Sequence, residues 1–497
     1  MPPSKKSARG SKRHHEDGLP DLATLVDHAK RLKISGPPPS PLTFILKHTR
    51  PMKIYVCGGN SGGELGLGPA VKSGNVTRPV LNPLLSDAGV VHISTGGMHG
   101  AALTKDNKIL TWGVNDSGAL GRDVTWDGGM VDEKDNEDRN SDSASDDGAD
   151  LNPNESTPTE VDITSVAGNA IFAQLATTDN ATFALTNTGL VYGWGTFRSN
   201  EGEQAFSSTV EIQRRPVLIP ALKGVVKIRC GGNHVVALTA DGTVSTWGRG
   251  TEGQLGRRFS KRIVDWTKEG LVPRKVAALK NICNISTGAN HSFAMDRDGH
   301  VWSWGLNNAG QTGIDDSLGE FGGFVTIPTL VTSLRGHDIA QLEAGSFHSL
   351  AVTEDGKCLA WGRLYSFATG LKIDSLPADS IINDYAGRPS ILKTPTPVEG
   401  LQNVSCVAAA SEHSLAVTKE HKVYTWGLNL SGQLGQKGEE IKVATLLDRI
   451  AIKGKPIVWA GAGGQYTMLG EAAEPNHDPK NDAYGISRLS EDLDELL

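Results

Sequence analysis

The sequence predicts an all-β fold, a seven-bladed β-propeller whose ring is closed by a blade shared between the N- and C-terminal segments. Three observations point there. One stretch of about twenty residues recurs along the chain, each copy reads as a β-hairpin ending in Trp-Gly, and one copy is cut in two across the chain ends.

The clearest copy, Gly231 to Gly248, is GGNHVVALTADGTVSTWG. TGANHSFAMDRDGHVWSWG (Thr287 to Gly305), AGSFHSLAVTEDGKCLAWG (Ala344 to Gly362), ASEHSLAVTKEHKVYTWG (Ala410 to Gly427) and GGMHGAALTKDNKILTWG (Gly96 to Gly113) repeat it. A worn copy, TTDNATFALTNTGLVYGWG, spans Thr177 to Gly195. In the five copies that keep a histidine (99, 234, 291, 348, 413), it lies thirteen residues before the tryptophan.

Val236, Leu238, Val244 and Thr246 alternate with residues of other character, the period of two expected of strands. Between the runs, Asp241-Gly242 suits a type I′ turn, which needs φ > 0 at both central residues. Asn107 and His421 replace the glycine in two copies and tolerate the left-handed region better than most residues. One tryptophan per unit supplies a large ring to fill the gap between neighbouring sheets, and the glycine after it lets the backbone bend. The split unit joins IYVCGGNSGGELGLG (Ile54 to Gly68), with Cys57 at the tryptophan position, to VWAGAGGQYTMLG (Val458 to Gly470), with Tyr466 at the histidine position. Pairing chain start with chain end seals a ring.

Along the chain, residues 1–50 read as a basic disordered tail followed by a short helix. Lys5, Lys6, Arg9, Lys12 and Arg13 carry the charge, and Leu22, Leu25, Val26, Ala29 and Leu32 recur at helical spacing. The propeller occupies 51–470. The Trp-to-Trp interval of 82 residues between Trp112 and Trp194 holds an acidic insert, placed at 131–158 and expected to be disordered. The 65-residue interval after Trp361 holds an extra surface loop, Leu364 to Ser390. Residues 471–497 form an acidic disordered tail. The formal net charge of −7 is therefore polarised into the appendages, around a nearly neutral body.

No run approaches the ~18 apolar residues of a membrane span, and no secretory signal opens the chain. The five cysteines stand singly and read as free thiols. Gly59-Asn60-Ser61-Gly62-Gly63 fits a nucleophile elbow, but shares a turn register with Asn115-Asp116-Ser117-Gly118 and lacks a strand–turn–helix setting. Gly248-Arg249-Gly250-Thr251-Glu252-Gly253 fits a dinucleotide fingerprint with no helix after it. No phosphate-binding loop motif occurs. The repeated histidines belong to different blades, so they do not converge on a metal, and hydrogen bonds to backbone within each hairpin are expected of them. Neither cofactor nor metal is expected.

The repeat as a whole, G-x-x-H-S-x-A-L-T-x-D-G-x-V-Y-x-W-G-x-N-x-x-G-Q-L-G, resembles the units of the regulator of chromosome condensation family over Ile54 to Gly470. The stretches Asn115 to Asp123 and Gly195 to Gly202 also resemble stretches of single units in that family. The resemblance implies a nuclear, chromatin-associated monomer that promotes GDP release from the small GTPase Ran without covalent chemistry. It further implies a nucleosome partner (histones and DNA), no membrane, and an import receptor for the basic tail, whose Lys5-Lys6 and Lys12-Arg13 clusters also suit such a signal. A wedge hairpin corresponds to Phe197, Arg198, Ser199 and Asn200. Asp179, Asn233, Arg257 and Phe347 correspond to the GTPase-binding face, with Asn233 and Phe347 standing where an aspartate and a histidine are expected. Arg258, Lys261 and Arg262, beside Arg257, join Lys5, Lys6, Arg9, Lys12 and Arg13 as the chromatin-binding set. A ring alone does not specify function, so a non-catalytic scaffold binding chromatin or a GTPase is the alternative.

Overall fold

The computed structural model describes residues 50–127, 150–199, 201–259 and 266–473. Seven antiparallel sheets of four or five strands follow one another round a ring. Blade three shows the plan. Val225–Cys230 pairs with His234–Thr239, which pairs with Val244–Gly248, which pairs with Arg274–Lys275. The first three strands of the others begin at Val90, Phe172, Ile282, Ile339 and Val404, and each repeats this meander. In blade five the extra stretch after Trp361 is not all surface loop. It adds a fifth strand, Ile381–Asn383, on the outer strand Pro389–Pro397.

The split unit closes the ring as expected. Met52–Gly59 pairs antiparallel with Tyr466–Ala472, Ile54 facing Gly470 and Gly58 facing Tyr466. Ile457–Ala462 and Asn75–Asn82 complete that sheet. Beside the seam Tyr55 donates to Glu471 at 2.6 Å, and Lys455 reaches both residues.

The six repeated tryptophans are buried between blades. Five donate their indole N–H to a carbonyl in the preceding unit: Trp112 to Glu64, Trp194 to Ala119, Trp304 to Gln254, Trp361 to Gln311 and Trp426 to Ala368, all at 2.8–3.0 Å. Cys57 occupies the seventh such place, its thiol donating to the Gln433 carbonyl at 3.6 Å.

The histidines correct the sequence reading. Each bridges to the next blade rather than to its own hairpin. The Nε2 atoms of His99, His234, His291, His348 and His413 meet the hydroxyls of Thr182, Ser292, Ser349, Ser414 and Thr467 at 2.7–3.2 Å. Ser349 in turn donates to Gln311, Ser414 to Ala368 and Thr182 to Ala119, the carbonyls already taken by tryptophans. Such a hydroxyl accepts from imidazole N–H, so at these three places Nε2 carries the proton. Burial holds all five imidazoles neutral, their pKa lowered to about 3 or 4. Where the histidine is replaced the hydroxyl is missing too: Ala181 precedes blade three, which has Val235, and Tyr466 precedes blade one, which has Gly100. Tyr466 is long enough to donate to the His99 and Gly96 carbonyls instead, at 2.8 and 3.2 Å.

Two further expectations change. Gly242 takes φ +80 while Asp241 is not left-handed, and Gly242 N–H donates to Thr239 at 2.9 Å. The turn is therefore type I followed by one left-handed residue, not type I′. Asn107 and His421 do take positive φ, 64° and 62°. The last residues of the 131–158 insert are also ordered. Asn152 caps a short helix, Pro153–Ser156, whose Ser156 is buried, and Arg122 donates to the Asn154 carbonyl at 2.6 Å. The expected disorder there gives way because this segment packs between Gly63 of the closing blade and Arg122 of blade one. The rest of the insert up to Ala149, the basic tail, the short helix expected after it and all but the first three residues of the acidic tail lie outside the described residues.

Candidate functional site

His234 pairs with Gly248, so the loops joining first to second strands and those joining third to fourth strands open on one face. The Asp241-Gly242 type of turn opens on the other. Near the axis of the first face, backbone bonds join successive inner loops: Asp179 N–H to Gly232 at 2.9 Å, Gly232 to Ala289 at 2.8 Å, Ala289 to Gly345 at 3.0 Å and Gly464 to Gly97 at 3.0 Å. Asp179 belongs to this inner rim. A Cβ on Gly232 would stand 2.9 Å from its carboxylate, so glycine is what makes room for it. The carboxyl opens to solvent on one side and is walled by the rim elsewhere, and desolvation pushes its pKa up to about 6.

From the same face, between the third strand of blade two (Val191–Gly195) and its fourth (Gln213–Leu218), rises a small hairpin. Phe197–Arg198 pairs with Gln204–Ala205. Ser199 closes it: its N–H donates to Glu203, its carbonyl accepts from Gly202, and its hydroxyl accepts from Glu203 N–H, at 2.8–3.1 Å. Gly202, at φ +87, takes the left-handed position the turn needs. Arg198 is exposed at the hairpin's edge and Ser199 is half-buried. Asn200 lies outside the described residues.

Phe197 is a correction. Its ring is fully buried, stacked on Phe183 at 6.0 Å and Phe206 at 6.3 Å, so it roots the hairpin in the core between blades two and three and offers nothing to a partner. Asn233 is half-buried and its side-chain oxygen accepts from the Arg198 backbone N–H at 2.7 Å. The amide thus does what a carboxylate there could do for the backbone, without the charge. The structure brings Asp179, Asn233 and Arg198 together, through Gly232.

The other two face residues are occupied. Arg257 folds back on its own blade, near the Glu269 and Val272 carbonyls at 3.4 Å and over the Phe259 ring at 4.8 Å. It sits in the register of Arg122, which likewise binds the Thr111 carbonyl of its own blade, at 2.8 Å. Its guanidinium is therefore committed within the blade. Phe347 is half-buried with the Arg363 guanidinium 3.3 Å above its ring. Arg258 is exposed. Lys5, Lys6, Arg9, Lys12, Arg13, Lys261 and Arg262 lie outside the described residues.

Sequence reasoning passed over Arg249. It is only 7% exposed, donates from Nη2 to the Glu203 carbonyl at 2.9 Å, and has its backbone N–H on the Asn233 carbonyl at 2.8 Å. The position after Trp-Gly is Val114, Thr196, Leu306 and Leu428 elsewhere, and arginine only at 249 and 363, which is the signal that could have found it. Among the described residues, Asp296, Asp298 and His300 bring possible metal ligands within 4.8 Å. The Asp296 carboxylate there already accepts from Asp298 N–H, His300 N–H and the Trp302 indole. No described helix is long and apolar enough to cross a membrane.

The family model described as RCC1-like domain matches residues 53–469. The chain is 37% identical over 497 residues to Protein pim1 of Schizosaccharomyces pombe, covering 99% of this chain and 86% of that one. It is 35% identical to Guanine nucleotide exchange factor SRM1 of Saccharomyces cerevisiae, covering 87% and 91%. Among solved structures it is similar to Prp20p from Saccharomyces cerevisiae, studied with its binding to Gsp1p and histones, at TM-score 0.76 and 33% identity, covering 86% and 93%. A second is yeast RCC1 (Prp20) bound by Kap60, at TM-score 0.77 and 30% identity, covering 96% and 97%. With the seven sheets, the shared closing blade and the Trp-Gly register all present, the chain belongs to the RCC1-like domain family.

Proposed function

We propose that this protein is a guanine-nucleotide exchange factor for the small GTPase Ran, promoting GDP release while held on chromatin in the nucleus. The observation that carries the reading is the hairpin with exposed Arg198, standing on the face of Asp179 in a chain similar to an exchange factor over most of its length. Kinship with Prp20p, whose binding to Gsp1p and histones was studied, supports both partners, and the complex with Kap60 supports an import receptor.

Exchange needs no bond made or broken in the factor. If binding of the factor weakens nucleotide by some ratio, nucleotide weakens the factor by the same ratio. A rigid projection that occupies the nucleotide-free GTPase and disturbs its phosphate and Mg²⁺ ligands is sufficient. Arg198 brings a fixed positive charge to that contact, and Asp179 brings a carboxyl suited to a basic partner group. Asn233 acts from beneath, by holding the Arg198 backbone. Chromatin contact falls to the basic residues 5–13 and to Arg258, Lys261 and Arg262, whose guanidinium groups suit carboxylates and whose lysines suit phosphates. The protein acts as a monomer.

Purified protein should accelerate release of fluorescent GDP from Ran, and Arg198→Ala should slow that release with the fold intact. No acceleration by the wild type would favour the scaffold reading. Nucleosome affinity should drop on deleting residues 1–13 or on Arg258→Ala, and unchanged affinity in both would remove chromatin from the proposal.

A further inference from the structure

We infer that Arg249 is a positioning residue for nucleotide exchange, clamping the second limb of the wedge hairpin to blade three; this rests on the exchange reading above. The hairpin is short, two residues paired with two, and a ribbon of that length does not hold its own direction in water. Phe197 roots its base in the core, and further ties act above that root. On the first limb, Asn233 accepts the Arg198 backbone N–H at 2.7 Å. On the second, Arg249 Nη2 donates to the Glu203 carbonyl at 2.9 Å, and Nη1 lies 4.0 Å from the Glu203 carboxylate. The two holders are themselves joined, because Arg249 N–H donates to the Asn233 carbonyl at 2.8 Å. Both limbs are thus tied to one point of one rigid sheet.

The cost of this arrangement argues that it serves something. Burying a guanidinium is expensive unless it is fully paired. Arg249 is 7% exposed while the Glu203 carboxylate beside it is 71% exposed, and Arg249 Nε is buried with no hydrogen-bond partner. Leucine, valine or threonine fills the same register position in four other units, so the blade itself does not call for an arginine; the one other arginine there, Arg363, pairs with Glu412 at 3.5 Å instead. Beside the clamp a cleft of about 230 Å³ separates Ser199, Glu201 and Glu203 from Arg249, Gly250, Thr251 and Gly270. Without the guanidinium the hairpin has room to tilt into it.

The experiment uses the full chain with Arg249→Met, which keeps the side-chain length, and Arg249→Lys, which keeps one charged donor; Arg249→Gln replaces the first if it does not fold. Hydrogen exchange is read at residues 197–205, and GDP release from Ran is measured against Ran·GDP concentration. The expected result is lost protection in the hairpin alone. With it kcat should fall about tenfold, the size of one lost charge-assisted hydrogen bond, while KM stays within about twofold. Arg249→Lys should recover part of kcat, and the Arg249→Met effect should shrink in an Arg198→Ala background. Unchanged hairpin protection, a loss confined to KM, or an equal loss in the Arg198→Ala background overturns the assignment. If the wild type releases no GDP, the exchange reading fails on its own, and hairpin protection alone then decides whether Arg249 clamps.

Discussion

Phe197 and Arg198 are neighbours in sequence and opposites in the fold. Phe197→Ala empties a fully buried site among Phe183, Phe206 and Trp247, and should cost about 3–5 kcal/mol of stability, seen as a lower denaturation midpoint. Arg198→Ala touches an exposed side chain and should leave that midpoint within about 0.5 kcal/mol while slowing exchange. Alternation along a two-residue strand cannot show which side faces the core, so the sequence could place the hairpin but not sort its residues. Asp179 titrates in the opposite sense to an ion-paired carboxylate. Its folded pKa, about 6, lies above its unfolded value, so the ionised form penalises the fold and that penalty appears as pH rises through 4 to 6. Asp179→Asn should therefore be the more stable variant at pH 7.5 and lose its advantage by pH 4, by less than about 1 kcal/mol because the carboxyl meets solvent. Denaturation midpoints of both proteins across that range test it.

Between elements, the histidine–hydroxyl bridges were half legible. Repeat spacing located the five histidines, but each partner lies 54–83 residues away in the following unit, and no local pattern gives that pairing. The clue was a correlation: the residue after each histidine position is serine or threonine only when the preceding unit keeps its histidine. His291→Ala and Ser349→Ala, separately and together, should give a coupling of about 1 kcal/mol in a double-mutant cycle of unfolding free energy. Zero coupling would mean that the contact is only packing. The same logic explains the turn. Asp-Gly signalled a left-handed residue, and one is there, but one versus two such residues depends on how the flanking strands end, which the dipeptide does not encode. Arg249 is hard to find from sequence because its Gly-x-Gly-x-x-Gly setting mimics a nucleotide motif, and its partner Glu203 lies 46 residues away in the preceding unit.

For the molecule as a whole, the blade count, the order of blades and the closing pair could all be read from the repeat, because a repeated Trp-Gly leaves little freedom in register. The ordered Asn152–Ser156 segment could not, since acidic composition says nothing of a short cap that fits a neighbour's groove. Five neutral buried imidazoles also set a property of the entire ring. Each has a folded pKa below its unfolded value near 6.5, so its contribution is complete above that pH and drains away as pH falls toward 4. Global stability should fall steadily over that interval, by at most ~1.4 kcal/mol per pH unit for each histidine, and urea unfolding at pH 7.5, 6 and 5 would show it.

The strand Met52–Gly59 pairs on one side with Asn75–Asn82, close by in sequence, and on the other with Tyr466–Ala472. During synthesis the ribosome delivers Met52–Gly59 long before Tyr466–Ala472, so the newborn chain carries an unmatched edge through most of its translation, a standing invitation to aggregate. Closure of the ring therefore waits for residues 457–472 to be made. A premature stop at codon 456 would release not a propeller with a gap but a substrate for chaperones and proteases.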